Sequence, residues 1–248
     1  MDDDERIELL LTINELFDEA YRILYTDTDI INDLFEEFSS YTINSKGDID
    51  YLEFLLEKYQ DVETRPMACI LLYYYYSSQN EIDWKKCEDL VEEMKNYTDQ
   101  KEVVYFLFKY YGRNLHLTHN RLKFFELIRY NEFLKEKSTL RFFYFSSICE
   151  FYDYRWKDGK DYLYELKAVK QFNLNPDFFL YWKDQDGYEQ IFEGEIVMEN
   201  KIKKVKIVNP FFKQFVLVSG NYSKFKEFQN VNVKLRFMFE GIQAEIVT

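Results

Sequence analysis

Near its end the chain contains the segment Phe237-Met238-Phe239-Glu240-Gly241-Ile242-Gln243-Ala244-Glu245-Ile246. Because a glycine beside a polar residue separates two apolar runs, this segment predicts a β-hairpin with strands at 231–239 and 242–247. Three further strand-like runs precede it, at 189–199, 202–208 and 215–219. Five short strands within about 60 residues predict a small β-barrel over residues 188–248.

This C-terminal part resembles the oligonucleotide/oligosaccharide-binding and cold-shock barrels, chiefly in its closing hairpin 237–246. The resemblance covers the last quarter of the chain and implies binding of single-stranded DNA or RNA. Interleaved basic and aromatic side chains can follow a phosphate backbone and stack on bases. The candidate contacts are Lys201, Lys203, Lys204, Lys206, Phe211, Phe212 and Lys213. Alternatively, the lysines form a solvated face that protects edge strands while the aromatic residues fill the core.

Up to about residue 182 the apolar residues recur at helical spacing. A first helix is predicted after the acidic residues 2–4, and a second at 29–40. Amphipathic segments then start at Asp48, Asp83, His119 and Asp158, at offsets of 35, 36 and 39 residues. The first three are each followed by a strongly aromatic helix, at 67–76, 103–111 and 140–154. Pro66 suits a helix start and Gly112 a helix end.

A period of 34 to 40 residues that alternates two kinds of helix is typical of α-solenoids. Residues 48–182 resemble tetratricopeptide-like repeats, best in the predicted helix 158–172 with the following Leu174-Asn175-Pro176. A plain helical bundle is the alternative. We therefore predict an α+β chain, with an N-terminal α-solenoid-like helical repeat domain at 1–187 and a small five-stranded β-barrel domain at 188–248.

Charge is unevenly distributed along the chain. Lys and Arg total 32 and Asp and Glu total 45, which gives a net charge of −13. Residues 188–248 carry nine Lys/Arg and seven Asp/Glu, or +2, so the remaining residues carry −15. This excludes a generally basic nucleic-acid coat and favours docking to a protein partner with a basic surface. The acidic stretches are expected to be solvated helix faces or parts of that docking surface; they are Asp27, Asp29, Asp33, Glu36 and Glu37, and Glu88, Asp89, Glu92 and Glu93.

Few residues are suited to catalysis or metal binding. The chain has two His, three Cys and seven Gly, and no nucleophile elbow, P-loop or dinucleotide-binding fingerprint. Cys69, Cys87 and Cys149 form no CxxC motif and are expected to be buried in a reducing compartment. We expect no enzymatic activity, no cofactor and no metal. An enzyme with an unrecognised site is the remaining alternative, and it would depend on His116 and His119.

Two short motifs have the spacing of metal ligands. His116 and His119 share one face if they lie on a helix, but no third ligand is near, so structural contacts or capping are favoured. Residues 42–54 resemble an EF-hand loop, with Asn44, Gly47, Ile49, Asp50 and Glu53 at its third, sixth, eighth, ninth and twelfth positions. Thr42 and Lys46 occupy the first and fifth positions, and a lysine there opposes calcium by charge. A turn followed by a helix is therefore expected.

No segment of the sequence is predicted to cross a membrane, because the most apolar run, 67–76, is half the length of a span. The start Met1-Asp2-Asp3-Asp4-Glu5 has the wrong charge for a secretory signal, so we expect a cytoplasmic protein. The predicted function is that of a non-enzymatic adaptor or accessory protein that binds a protein partner through an acidic helical-repeat surface. The alternative is an accessory factor that binds single-stranded nucleic acid through the C-terminal barrel.

Overall fold

The computed structural model describes residues 65–78, 81–167, 179–220 and 224–247, together with Glu53. The described helices are α1 (Arg65–Ser78), α2 (Trp84–Met94), α3 (Lys101–Arg113), α4 (Thr118–Tyr130), α5 (Phe133–Lys137), α6 (Thr139–Tyr152) and α7 (Trp156–Lys167). The strands are β1 (Ile191–Glu199), β2 (Ile202–Ile207), β3 (Val216–Val218), β4 (Asn230–Met238) and β5 (Gly241–Val247). Helices precede C-terminal strands, so the predicted α+β class is confirmed.

Residue contacts divide the chain into two compact units, Met1–Leu107 and Phe108–Thr248. In the first unit, α2 begins at a cap, because the Asp83 carboxylate accepts a hydrogen bond from the Lys86 backbone N–H at 3.1 Å. Helical spacing then directs one apolar stripe of α2 into the core, formed by Cys87, Leu90, Val91 and Met94. The amphipathic segment predicted after Asp83 is therefore present as a helix.

In the second unit, α6 is buried over nine consecutive residues, 143–151, so no side of this part of the helix faces solvent as in an amphipathic helix. The Phe108 ring stacks on Phe124 with centroids 5.5 Å apart. At Gly112 an added Cβ would lie 2.2 Å from Cδ2 of Phe145, so this glycine permits a close approach of α3 to α6. Its predicted role as a helix stop is wrong, because α3 continues to Arg113.

The five strands close into a ring whose hydrogen-bonded neighbours follow the order β1-β2-β3-β5-β4. Each pair is antiparallel except β3 with β5, where Leu217 lies opposite Gln243 in a parallel register. The buried residues that line the inside are Phe192, Ile196, Val205, Ile207, Val216, Val218, Val231, Val233, Leu235, Phe237 and Ala244. Gly194 is required where β1 meets β2, because a Cβ there would lie 2.3 Å from Cγ1 of Val205. The strands predicted from the alternating pattern are confirmed.

Two tyrosines of α6 hydrogen-bond to the strand ring and the segment before it. The buried Tyr144 hydroxyl donates to the Phe237 carbonyl and accepts from the Leu180 N–H, both at 2.9 Å. The Tyr152 hydroxyl accepts from the Lys183 N–H at 2.9 Å. Each hydroxyl satisfies a backbone group at this contact, where a lost hydrogen bond would be costly.

Aromatic rings fill the rest of this contact. We call these four rings the aromatic layer: Phe151, Tyr152, Trp182 and Phe237. Phe237 stacks on Trp182 at 5.5 Å and on Phe151 at 6.3 Å between ring centroids. Tyr152 lies 4.7 Å from Trp182. The predicted boundary at 187–188 thus falls inside the second compact unit, where helix and strands share a core. A division into separate domains at this boundary stays a prediction.

Several predicted elements lie outside the described residues. These are the first helix, the helix at 29–40, most of the segment that starts at Asp48, and the turn Leu174-Asn175-Pro176. The helices α1, α3 and α6 correspond to the three predicted aromatic helices. A repeat relation among the helix pairs stays a prediction, with the plain bundle as its alternative.

Candidate functional site

The outward side of β2, β3 and the residues next to them forms a surface that we call the β2–β3 face. Its side chains alternate with the inward ones and are Ile202, Lys204, Lys206, Val208, Phe215 and Leu217. Lys204 lies directly opposite Leu217 across the strand pair. Ile202, Phe215 and Leu217 are 48%, 44% and 36% exposed. Neighbouring exposed apolar side chains on a folded surface mark interaction sites.

The lysines of the β2–β3 face have carboxylate neighbours on β1. Lys204 forms an ion pair with Glu199, and Lys206 lies opposite Glu195 in the strand register. On β4, Lys234 pairs with Glu189 at 2.6 Å, and this hydrogen bond raises the pKa of Lys234. Affinity for a phosphate backbone comes from lysines that replace its counterions. Lysines already matched by glutamates therefore favour a partner of mixed charge over a polyanion.

The lysines predicted to contact nucleic acid are divided among four places. Lys201 is exposed in the β1–β2 turn, and Lys204 and Lys206 lie on the β2–β3 face. Lys203 has the opposite side-chain direction, and its Nζ donates to the Phe225 carbonyl at 2.6 Å. Lys213 is exposed in the connection from β2 to β3.

The two predicted phenylalanines differ sharply in exposure. Phe211 is 59% exposed and stacks on Tyr154 with ring centroids 5.0 Å apart. Phe212 is buried between Trp156 at 4.9 Å and Trp182 at 5.3 Å. Phe212 is therefore a core residue, and the expectation that it stacks on a base is corrected, because no face of its ring is open to a ligand.

The two histidines are not brought together. His116 is buried ahead of α4, whereas His119 is exposed in the first turn of that helix. The pKa of His116 is lowered mainly by burial, and the positive charges of Lys183 and Arg121 lower it further. In the part of the chain that the structure describes, no group of three or more His, Cys, Asp or Glu residues could hold a metal ion.

The buried Arg121 side chain fixes the position of residues 114–120 through several hydrogen bonds. Arg121 donates from Nε to Asp153 at 3.0 Å, from one terminal nitrogen to the Leu115 carbonyl at 2.8 Å, and from the other to the Thr118 hydroxyl at 3.1 Å. A buried charge that is paired and hydrogen-bonded in this way is a structural feature. The arrangement supports the structural interpretation of the His116 segment.

The cysteines are poor nucleophiles. All three are buried thiols. Burial raises the pKa of Cys69 to about 12 and also raises the pKa of Cys87 and of Cys149. Because the thiolate is the reactive form, these environments oppose a catalytic role at neutral pH.

Glu53, the twelfth-position residue of the EF-hand-like segment, already has partners. Its carboxylate accepts from Lys86 Nζ at 2.8 Å and from the Tyr76 hydroxyl. The hydrogen bond from Lys86 lowers the pKa of Glu53. The rest of that segment lies outside the described residues, so its interpretation as a turn and helix stays a prediction.

The acidic excess of the chain is concentrated before α1. Residues 1–64 contain 4 Lys/Arg and 19 Asp/Glu, a net charge of −15, whereas residues 65–167 contain 17 and 16. On α2, Glu88 and Asp89 are exposed, and Glu93 pairs with Arg65. The acidic surface predicted for the helices therefore depends on residues 1–64, of which only Glu53 is described.

Comparison with known proteins gives no relative. No family model, curated protein or solved structure matches the chain. Among the described residues, no helix is both long and apolar enough to cross a membrane.

The apolar half of the β2–β3 face was not predicted as a site. The sequence pattern places Ile202 and Val208 in the second predicted strand and Leu217 in the third, and predicts no binding role for them. A signal was present, because β3 reads Val-Leu-Val and is apolar on both sides although it is not covered on both.

Proposed function

We propose that the protein is a non-enzymatic interaction protein, an adaptor or accessory subunit, that binds a protein partner through the β2–β3 face. One observation carries the proposal: Ile202, Phe215 and Leu217 are exposed together, beside lysines that face glutamates. Exposed apolar side chains bordered by polar groups are typical of a protein interface. A partner with an apolar patch and charges of both signs fits this face best.

The acidic residues 1–64 supply a second contact in this proposal. Their net charge of −15 would attract a partner with a basic surface and speed its association. A tetratricopeptide-like arrangement of the helices would add a concave surface for the same partner. The proposed location is the cytoplasm, where three buried thiols would stay reduced.

The test is a pull-down from the native host with the full chain, followed by a binding assay with the purified partner. The variant is Leu217→Asp, which places a charge at the centre of the face. The matched control is Leu122→Asp, because Leu122 is an exposed leucine on α4. We expect Leu217→Asp to weaken binding at least tenfold, since central apolar residues dominate interface energy, and the control to bind as the unchanged protein does.

Salt separates the two contacts. Binding through the β2–β3 face is expected to persist at about 0.5 M salt, because exposed charges are screened there and apolar contact is not. If binding instead vanishes in salt and ignores Leu217→Asp, the acidic residues carry the interaction and the proposed face is wrong. Absence of any partner that depends on Leu217 would also reject the proposal.

The second candidate is an accessory factor that binds single-stranded nucleic acid. The ring order β1-β2-β3-β5-β4, closed by a parallel β3–β5 pair, supports an oligonucleotide-binding-like barrel. Anisotropy of labelled single-stranded RNA and DNA with the full chain tests it at two salt concentrations. Salt-sensitive binding would support this candidate, and no binding at low salt would reject it.

A further inference from the structure

The connection from β3 to β4 contains a fixed irregularity at residues 224–229, which we call the bulge loop. The Gln229 N–H donates to the Lys226 carbonyl at 3.2 Å and closes a four-residue turn. The Phe228 N–H donates to the Ile196 carbonyl at 2.8 Å, and the Ile196 N–H donates to the Gln229 carbonyl at 2.9 Å. Phe228 and Gln229 together therefore face the single residue Ile196 of β1, which is the pattern of a β-bulge.

Phe228 occupies the position in this bulge where glycine is usual. Its φ is 61°, in the left-handed region that a bulky side chain seldom adopts. The third residue of a turn with positive φ is also a glycine position. Burial of the ring does not offset this strain, because the side chain is 71% exposed. Strain that brings no packing gain points to a functional role for the ring.

The loop that holds this ring is tied down on both sides. Lys203 Nζ donates to the Phe225 carbonyl at 2.6 Å, and the Lys226 N–H donates to Oε1 of Gln229 at 3.0 Å. The Lys224 ammonium lies over the Phe225 ring, 5.2 Å from its centroid. Phe228 is thus an exposed aromatic side chain on a preorganised support, a few residues from two exposed lysines.

We propose that the bulge loop binds one unpaired base of a single-stranded nucleic acid. The base stacks on the Phe228 ring, and phosphates on either side contact Lys224 and Lys226. This combination of an aromatic platform and nearby cations is how single strands are bound without regard to sequence. The inference rests on the second candidate function and assigns it a contact away from the glutamate-matched β2–β3 face.

The surroundings of Phe228 favour a base over a lipid surface. Side-chain amides are exposed close to Phe228 in the chain, at Gln229, Asn230 and Asn232. Amides hydrogen-bond to base edges, but they lose hydration without compensation when a loop inserts into lipid. Glu227, next to Phe228, would repel a flat anionic membrane, whereas beside a base it can accept from an amino group.

The experiment measures anisotropy of a labelled 15-nucleotide single-stranded RNA and its DNA counterpart with the full chain. The variants are Phe228→Gly, Phe228→Trp and Lys226→Glu, with Lys157→Glu as the matched control for charge, because Lys157 is exposed on α7. We expect Phe228→Gly to raise Kd about 10- to 100-fold, as loss of one stack predicts, and Phe228→Trp to restore binding. Lys226→Glu is expected to weaken binding more than Lys157→Glu, with a smaller salt dependence.

Thermal unfolding gives a second measurement, in which Phe228→Gly is expected to improve stability although it weakens binding. Glycine adopts positive φ without strain, so Phe228→Gly is expected to raise the unfolding midpoint while binding is lost. If the unchanged protein binds but Phe228→Gly binds equally well, the bulge loop is not the site although the second candidate function stands. If the unchanged protein binds neither strand, that function fails as well. The choice of ligand would be overturned if the protein bound phosphatidylserine vesicles through Phe228 but bound neither the RNA nor the DNA.

Discussion

One side of the strand ring faces α6, whereas the β2–β3 face and the bulge loop are two separate exposed surfaces of the same ring. The buried side and the exposed surfaces contain the same kinds of residue in opposite surroundings. Phe237 is enclosed by Phe151 and Trp182, whereas Phe215 and Phe228 are exposed to solvent. Burial of an aromatic ring contributes to folding, and an exposed ring on a fixed support has its apolar surface available for a ligand. We therefore expect substitutions on the buried side to lower stability, and substitutions on the exposed surfaces to weaken binding without lowering stability.

The largest effect is expected for Phe237→Ala in the aromatic layer. Removing a buried ring that touches α6 leaves a cavity, which costs about 3–5 kcal/mol in the free energy of unfolding. Urea unfolding followed by tryptophan fluorescence measures it, since Trp182 stacks on this ring. Phe215→Ala on the outward side is the control and is expected to change stability by less than about 1 kcal/mol. Equal losses from the two variants would contradict the expected difference between the buried and the exposed ring.

A smaller loss is expected for Tyr144→Phe, which keeps the ring and removes only the hydroxyl. The Phe237 carbonyl loses a donor and the Leu180 N–H loses an acceptor, so we expect a cost of about 1–3 kcal/mol. Tyr164→Phe is the matched control, because Tyr164 is exposed on α7. Thermal unfolding of both variants measures the difference. A Tyr144→Phe midpoint equal to that of the control would show that water replaces the hydroxyl.

Local pattern was sufficient for the strands and most helices but not for the environment of single residues. The period-2 alternation in β1, β2 and β4 specifies which side faces inward, so the strands were predictable. The prediction of a helix stop at Gly112 is wrong, because the reason for a glycine there is the close approach of Phe145, 33 residues later. A close approach between distant elements leaves no local signal.

The candidate sites show the same limit. Phe212 and Phe228 both lie near lysines in connections between strands, so the sequence alone does not distinguish the buried ring from the exposed one. The structure separates them, because Trp156 and Trp182 cover Phe212 while a bulge turns Phe228 outward. Likewise His116 and His119 have the spacing of a metal pair, but only one of them is buried. Which member of such a pair meets solvent is decided by tertiary packing.

The smallest effect is expected from pH, at His116. Burial and the charges of Lys183 and Arg121 lower the pKa of His116 in the folded chain below its value of about 6.5 in the unfolded chain. The unfolded chain therefore takes up the proton first as pH falls. The contribution of His116 to stability is complete above pH 6.5 and is lost as pH falls from there through the folded pKa.

His116→Gln isolates this contribution, because glutamine keeps a polar side chain and does not titrate in this range. We expect the drop in unfolding midpoint between pH 7.5 and pH 5.5 to be smaller in His116→Gln than in the unchanged protein. Comparing the two drops matters, because burial raises the pKa of Glu150 and that carboxyl acts in the opposite direction. His119→Gln is the control, since His119 is exposed. Equal drops in all three proteins would mean that His116 is solvated. The segment 114–120 would then be exposed to solvent, like the β2–β3 face and the bulge loop.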